Sequence, residues 1–254
     1  MKNTKSKLCV ITPFHKLKIS DLEKKYLKIS LSHLSEAKHV FVVPNDSIEE
    51  IFTEFPHSEV VKFSKSYFES KMAYNRLLLS REFYEEFISF DHILILQTDA
   101  IIVKDFPYSL CQKFDYIGAP WSNEKKLKIW NGRLWENTKR LPFKRAVKVA
   151  IGNGGLSVRR VSVMLDLVNV IIKDHSYLAK GFYNEDLVLS YFLTKIGYVV
   201  PTPHEAEEFF CETGAIGKSF VPNSIGFHAL GRFNPKLESE ILDRYRVEAE
   251  DKFK

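Results

Sequence analysis

Ile93-Leu94-Ile95-Leu96-Gln97-Thr98-Asp99-Ala100-Ile101-Ile102-Val103 is the stretch on which the fold turns. Four consecutive large apolar residues describe a strand buried on both faces, as at the centre of an α/β sheet. Gln97-Thr98-Asp99 breaks the run, and hydrophobicity resumes at once at Ile101. A carboxylate between two apolar runs is costly to bury unless a cation or a hydrogen-bond donor meets it. In open α/β sheets ligands sit at the carboxyl ends of the central strands, and Asp99 falls at such an end.

Upstream of this strand the chain alternates strands and helices. Residues 8–12 are apolar and end at Pro13, and residues 21–34 carry apolar side chains with a helical period. A second strand over 39–43 ends in Pro44-Asn45-Asp46, and Ser47 suits the cap of a short helix through Phe55. A third strand over 59–63 and one long helix over 72–87 lead into the Ile93 strand. This order implies an α/β fold, with a central, mostly parallel sheet flanked by crossover helices and a nucleotide-type crevice at the strand ends.

Downstream the pattern loosens. A short helix over 107–112 and a strand over 115–121 precede a basic segment, and Gly152-Asn153-Gly154-Gly155 follows it. Three glycines in four residues either take up positive φ or admit close approach by a ligand. They form no dinucleotide fingerprint, being far from the first strand and lacking GxGxxG. Helices are expected from Val161 and from Asn184-Glu185-Asp186, with a late strand over 198–200, a short acidic helix over 205–211 and a charged C-terminal helix from Pro235. Acidic residues in a first helical turn suit the helix dipole, which by itself explains Glu185 and Asp186. His228 stands alone in the apolar run 225–230.

The 254 residues, 45% hydrophobic with 20 Phe and 11 Tyr, can fill a sizeable core, which excludes a disordered chain. Cys9, Cys111 and Cys211 show neither paired nor metal-type spacing, which suits a reducing compartment. The apolar run after the basic N-terminus is too short for a signal peptide, and no stretch approaches the roughly 18 apolar residues of a membrane span. A cytoplasmic, soluble protein is expected. The net charge of +5 is unevenly spread: residues 122–148 hold nine basic residues against Glu124 and Glu136, so the remainder is slightly acidic. That segment also contains Trp130 and Trp135. It suits an anionic partner, such as a phosphorylated glycan, a lipid diphosphate or the anionic inner face of a membrane. No nucleic-acid motif accompanies it.

Five motifs stand in order: Leu96-Gln97-Thr98-Asp99-Ala100, Asp115-Tyr116-Ile117-Gly118-Ala119-Pro120-Trp121, Gly152-Asn153-Gly154-Gly155-Leu156-Ser157-Val158-Arg159, Asn184-Glu185-Asp186 and Gly226-Phe227-His228. Together, from Tyr74 to Leu230, they closely resemble a domain-of-unknown-function family of bacterial glycosyltransferases. That family carries a Gln-Thr-Asp signature in place of Asp-x-Asp and belongs to the GT-A, nucleotide-sugar-dependent class. The resemblance implies one GT-A-type domain over 1–254. Its nucleotide-sugar half would be 1–103, its acceptor-binding and catalytic half 104–235 with the basic insertion 122–148, and its C-terminal helix 236–254.

The resemblance also implies roles. Asp99 would bind a divalent metal, Mn²⁺ or Mg²⁺, that bridges the donor diphosphate, with His228 completing the metal site. Gln97, standing where the motif has its first Asp, can hydrogen-bond a ribose or phosphate but adds no charge. Thr98 and Arg76 would join it on the donor, Arg76 facing the phosphates. Thr12, Pro13 and Asn45, at the ends of the first two strands, would hold base and ribose. Asp186 would be the base that takes the acceptor hydroxyl proton, with Glu185 beside it. Asn153, Gly154 and Gly155 would border the acceptor, and Trp121 would offer a platform for a sugar ring.

The expected activity is transfer of a sugar from a nucleotide donor to a glycan or lipid-linked glycan in surface-polysaccharide synthesis, with inversion favoured. Two other readings remain beside it. A nucleotidyltransferase or other metal-diphosphate enzyme would want a glycine-rich phosphate loop near the first strand, and Ile11-Thr12-Pro13-Phe14 has no glycine. A non-catalytic carbohydrate-binding protein on the same fold is disfavoured by retention of Asp99, Asp186 and His228.

Overall fold

A computed structural model of the chain describes residues 7–14, 18–47, 53–136, 146–212 and 224–251. The first half follows the expected alternation: β1 (Leu8–Pro13), α1 (Asp21–Ser32), β2 (Lys38–Pro44), β3 (Glu59–Phe63), α2 (Lys71–Leu78), α3 (Arg81–Glu86) and β4 (His92–Leu96). The four strands are parallel, in the order β3-β2-β1-β4. Strand alternation sorts their side chains. Cys9, Ile11, Ile93 and Ile95 pack on one face with the buried residues of α2 and α3, while Leu8, Val10, Leu94 and Leu96 pack on the other with Leu27 of α1.

The helix expected over 72–87 is two helices. Leu77, Leu78 and Leu79 are all buried, and three consecutive residues do not share one helical stripe. The chain leaves the helix at Leu79 and restarts at Ser80, whose Oγ accepts the Phe83 N–H at 3.2 Å.

Past β4 the chain turns at Gln97-Thr98-Asp99 into β5 (Ala100–Ile102), which leaves the central sheet. Then come α4 (Tyr108–Cys111), β6 (Tyr116–Gly118), β7 (Pro120–Trp130), β8 (Arg133–Glu136), β9 (Val147–Ile151) and β10 (Leu156–Arg160). β10 enters the main sheet antiparallel to β4 and β6, completing the order β3-β2-β1-β4-β10-β6 and making a mostly parallel sheet mixed. β7, β8 and β9 form a separate antiparallel sheet, so the described part of the basic segment is built structure. Its hairpin turns at Asn131-Gly132, with φ of 48° and 71°, the positive pair that a tight right-twisted hairpin requires. Lys139, Arg140, Lys144 and Arg145 lie outside the described residues, as does most of the helix expected after Ser47.

The remaining elements are α5 (Val161–Asp174), α6 (Glu185–Ile196), α7 (Pro203–Phe209), β11 (Phe210–Glu212), β12 (Gly226–His228), α8 (Leu230–Phe233) and α9 (Pro235–Asp251). The strand expected over 198–200 is absent. Val199 instead clasps Asp115: its carbonyl accepts the Asp115 N–H at 2.7 Å and its N–H donates to Asp115 Oδ2 at 2.8 Å. β11, β12 and β5 make a third sheet over a small core of Tyr26, Ile101, Phe227 and Ile241. Among the described residues no helix is long and apolar enough to cross a membrane.

One buried group gives this core a pH dependence. His39 on β2 is 6% exposed and bonded to Thr12 Oγ1 at 2.9 Å and Ser58 Oγ at 2.5 Å. Burial pushes its pKa down to about 4. The unfolded chain therefore takes up this proton first, so the contribution of His39 is complete above the ordinary histidine pKa and is lost as pH falls toward 4. Urea denaturation at pH 7.5 and 4.5 should show a loss for the native protein that exceeds that of His39→Gln by on the order of 2 kcal/mol. Identical losses would refute a buried neutral His39.

Candidate functional site

A cavity of about 840 Å³ opens where the strand ends, the glycine turn and α6 meet. Pro13 ends β1 on its wall, and Gln97, Thr98 and Asp99 follow β4 there. Trp121, Asn153, Gly154, Gly155, Glu185, Asp186 and His228 complete the expected residues that it gathers.

Strand register brings Asp99 to His228. β12 runs antiparallel to β5 with His228 opposite Ala100, so residue 99 lies beside the imidazole; Nε2 is 3.5 Å from Asp99 Oδ1. β11 pairs with β12 so that Glu212 is opposite His228 on the other side, with Oε1 3.8 Å from Nδ1. Burial penalises charge on this ring, but Asp99 and Glu212 outweigh it and push its pKa up to about 9. Asn153 works against that proton: its Oδ1 accepts the Gly155 N–H at 3.0 Å, so its amide N–H faces His228 Nδ1, also at 3.0 Å. A cation at Nε2 would have to displace a proton.

The glycine turn works by close approach. Gly152, Gly154 and Gly155 have ordinary φ, and the positive value, 59°, belongs to Asn153. A Cβ at Gly155 would lie 2.4 Å from His228 Nε2 and 2.6 Å from Gln97 Oε1, and one at Gly154 would lie 1.9 Å from Glu185 Oε1. The chain's own site residues fill the space that the sequence left open to a ligand.

Beneath the turn lies a buried cation that sequence reasoning passed over. Arg159, on β10, is fully buried. It donates to Ser157 Oγ (3.0 Å), Tyr84 Oη (3.0 Å), Gly154 O (3.3 Å) and Glu185 Oε1 (3.0 Å). It thus ties the glycine turn to the first residue of α6. Glu185, expected beside the base, is committed to this ion pair. Its neighbour Asp186 is half-buried and accepts the Leu187 N–H at 2.7 Å. Burial, then the adjacent Glu185 charge, push the Asp186 pKa up to about 7. The helix N-terminus favours the carboxylate there, but desolvation and the like charge outweigh it.

Three expected donor residues stand apart from the cavity. Thr12 is buried against β2 on His39. Asn45 is exposed, its N–H bonded to Phe63 O at 2.8 Å. Arg76 lies over the Tyr67 ring and donates to Ser66 O at 3.2 Å. On α2 the cavity is met by Lys71, Tyr74 and Asn75, spaced i, i+3, i+4, and Arg76 is turned about 100° from Asn75. Lys71 is the cation on that wall. Thr98 does line the cavity, but its Oγ1 donates to Glu23 Oε1 at 2.6 Å, the same glutamate that closes the capping box of α1. Glu69, Ser70 and Asn184 also line it. Asn184 stands in the Asn184-Glu185-Asp186 motif, whereas nothing in sequence spacing singles out Glu69 and Ser70 at the start of α2.

Among the described residues no group of three or more His, Cys, Asp or Glu is placed to hold a metal. The pair nearest to a ligand set is Asp99 with His228, one oxygen and one imidazole ligand, with His228 Nε2 buried against Gly155. Such a pair suits an ion that takes its other ligands from a phosphorylated substrate and water. A search of curated proteins returned no match. The sequence profile of a family described as "Protein of unknown function (DUF5672)" matches residues 57–228, which includes every cavity residue named above except Pro13 and Glu23.

Proposed function

The chain belongs to the DUF5672 family of proteins of unknown function, and we propose that it is a glycosyltransferase of GT-A type that uses a nucleotide-sugar donor. The observation that carries this reading is one cavity at the carboxyl ends of β1 and β4. It presents Asp99 and His228 on one side and Asp186, with a raised pKa, on another. Its volume of about 840 Å³ is in the range of small-molecule sites of the size a nucleotide sugar needs.

Glycosyl transfer passes through an oxocarbenium-like state while negative charge grows on the departing nucleoside diphosphate. Asp99 and His228 would hold a divalent cation there; when bound, that ion neutralises the leaving diphosphate. Lys71 on α2 takes the role expected of Arg76 and meets the phosphates with a flexible ammonium. Gln97, steadied by Tyr74 Oη at 3.5 Å, offers its amide to the donor. Asp186 accepts the proton of the acceptor hydroxyl as that oxygen attacks the anomeric carbon, and Trp121 gives the acceptor ring an apolar face. A base with a pKa near the working pH combines adequate basicity with a substantial ionised fraction.

A thermal-shift screen against UDP-, GDP-, dTDP- and CMP-linked sugars, with and without Mn²⁺, tests the reading. One nucleotide class should raise Tm in a Mn²⁺-dependent way, corresponding to about 2.7 kcal/mol at a hundredfold excess over Kd. Asp99→Ala and His228→Ala should lose the Mn²⁺-dependent part and keep their fold by circular dichroism. No shift with any donor, or an unchanged shift in both variants, would overturn the transferase reading or its metal site respectively.

A further inference from the structure

The sheet of β7, β8 and β9 has two faces of opposite character. Leu127, Leu134 and Val149 are buried on the inner face, with Lys125 paired to Glu136 at its edge at 2.6 Å. Residues opposite one another in an antiparallel pair share a face, as do residues two apart on one strand. The register sets Lys128 opposite Trp135, Trp130 opposite Arg133, and Lys126 opposite Lys148. By register these six residues share the outer face, where the Arg133 guanidinium also lies 5.5 Å from the centre of the Tyr177 ring. Trp130 and Trp135 are 57% and 42% exposed, among the largest apolar groups left open to solvent. Lys128 Nζ lies 4.8 Å from the centre of the Trp130 ring, and the Trp135 indole N–H is 3.4 Å from Trp130 O. The nearby carboxylate, Glu124, is paired with Lys148 at 3.3 Å.

We propose that this outer face docks the protein on an anionic lipid bilayer, with Trp130 and Trp135 seated among the headgroups and Lys126, Lys128, Arg133 and Lys148 against the lipid phosphates. The composition of the face selects this partner. Indole rings with a polar N–H prefer the membrane–water interface, and cations beside them are each attracted to an acidic leaflet. A neutral glycan is met by amide, hydroxyl or carboxylate groups, whereas this face sets four cations against one carboxylate, Glu124, which is already paired with Lys148. Charge complementarity points the same way, since the basic excess of the chain is concentrated in this segment. β7 begins at the cavity wall with Trp121, and past an irregularity before Lys125 its residues from Lys126 onward carry the docking face. The inference is independent of the transferase reading, because it needs neither donor nor turnover.

The test is co-sedimentation of the full-length protein with vesicles of phosphatidylcholine alone and of phosphatidylcholine mixed with phosphatidylglycerol. Binding is expected to the mixed vesicles only, and about 0.5 M NaCl, where the Debye length falls to a few ångströms, should weaken it severalfold or more. Lys126→Glu with Lys128→Glu should reduce the partition coefficient at least about tenfold, and Trp130→Ser with Trp135→Ser should also reduce it. Both pairs are surface substitutions, and an unchanged Tm for the lysine pair keeps the result interpretable if the tryptophan pair loosens the hairpin. Equal binding to both vesicle types, or native binding by the lysine pair, overturns the proposal. Retention on a soluble anionic polysaccharide without vesicle binding overturns it as well, and gives the face to a glycan.

Discussion

Arg159→Leu is expected to destabilise the protein by about 3–5 kcal/mol, the cost of breaking a buried ion pair by removing one partner. The guanidinium is wholly buried, and Glu185, 6% exposed, depends on it to balance its charge. Removing it also leaves Tyr84 Oη, Ser157 Oγ and Gly154 O without the donor that each now shares. Tyr84 retains its own bond to Leu78 O at 3.0 Å, so α3 should persist while the glycine turn and the start of α6 loosen. Urea denaturation measures the loss. Arg159→Leu combined with Glu185→Leu removes both charges and should recover a substantial part of it, because two apolar groups carry no uncompensated charge. A single variant as stable as the native protein would show that the pair is not what holds the turn to α6.

Asp186→Asn should produce two opposite effects. As the proposed base, Asp186 contributes on the order of 10²–10⁴ in rate, and its replacement by an amide should lower kcat by that factor with donor affinity unchanged. On the proposed function, kcat/KM of the native protein should rise with pH through about 7, where the carboxyl loses its proton, and the residual activity of the variant should not follow that profile. Stability should move the other way. The folded-state pKa is raised, so between the ordinary carboxyl range and about 7 the folded chain holds a proton that the unfolded chain has released. The protein therefore loses stability as pH rises through that window. The amide introduced by Asp186→Asn spares that cost, and its oxygen can still accept the Leu187 N–H, so at pH 8 the variant should be more stable by on the order of 2 kcal/mol. Full activity in Asp186→Asn would remove it as the base. A variant no more stable than the native protein at pH 8 would show that the site does not strain the carboxylate.

Both expectations turn on residues that sequence reading treated unevenly. Asp186 was visible because Asn184-Glu185-Asp186 opens an apolar helix and matches a family position. Arg159 ends the glycine motif, and a charged residue in a short apolar run reads as solvent-facing. Only strand alternation, with β10 lying between β4 and β6, shows that it points into the core. Arg76 and Lys71 make the reverse case. Both are basic residues of one helix, and which of them meets the cavity depends on the rotation of α2, whose buried residues are Ala73, Asn75, Leu77 and Leu78.

What the sequence alone determined was local and periodic. The run Ile93–Leu96 reads as a buried central strand and the apolar periods before it as alternating helix and strand, which implies a mostly parallel sheet; the order β3-β2-β1-β4 came from the tertiary structure. Asp99 and His228 stand out as polar residues within apolar runs, whereas Asp186 is singled out only by the resemblance. The tertiary structure alone decided what those residues face. β5 peels away from the central sheet to pair with β12, and that register sets His228 beside Asp99 although the two are far apart in sequence. The glycines are small because Trp121, Glu185 and His228 occupy the space at their α-carbons. The basic segment became one cationic, aromatic face only when its strands paired in register. Period and composition act over a few residues, whereas register, burial and charge pairing arise between distant elements and exist only once these have packed.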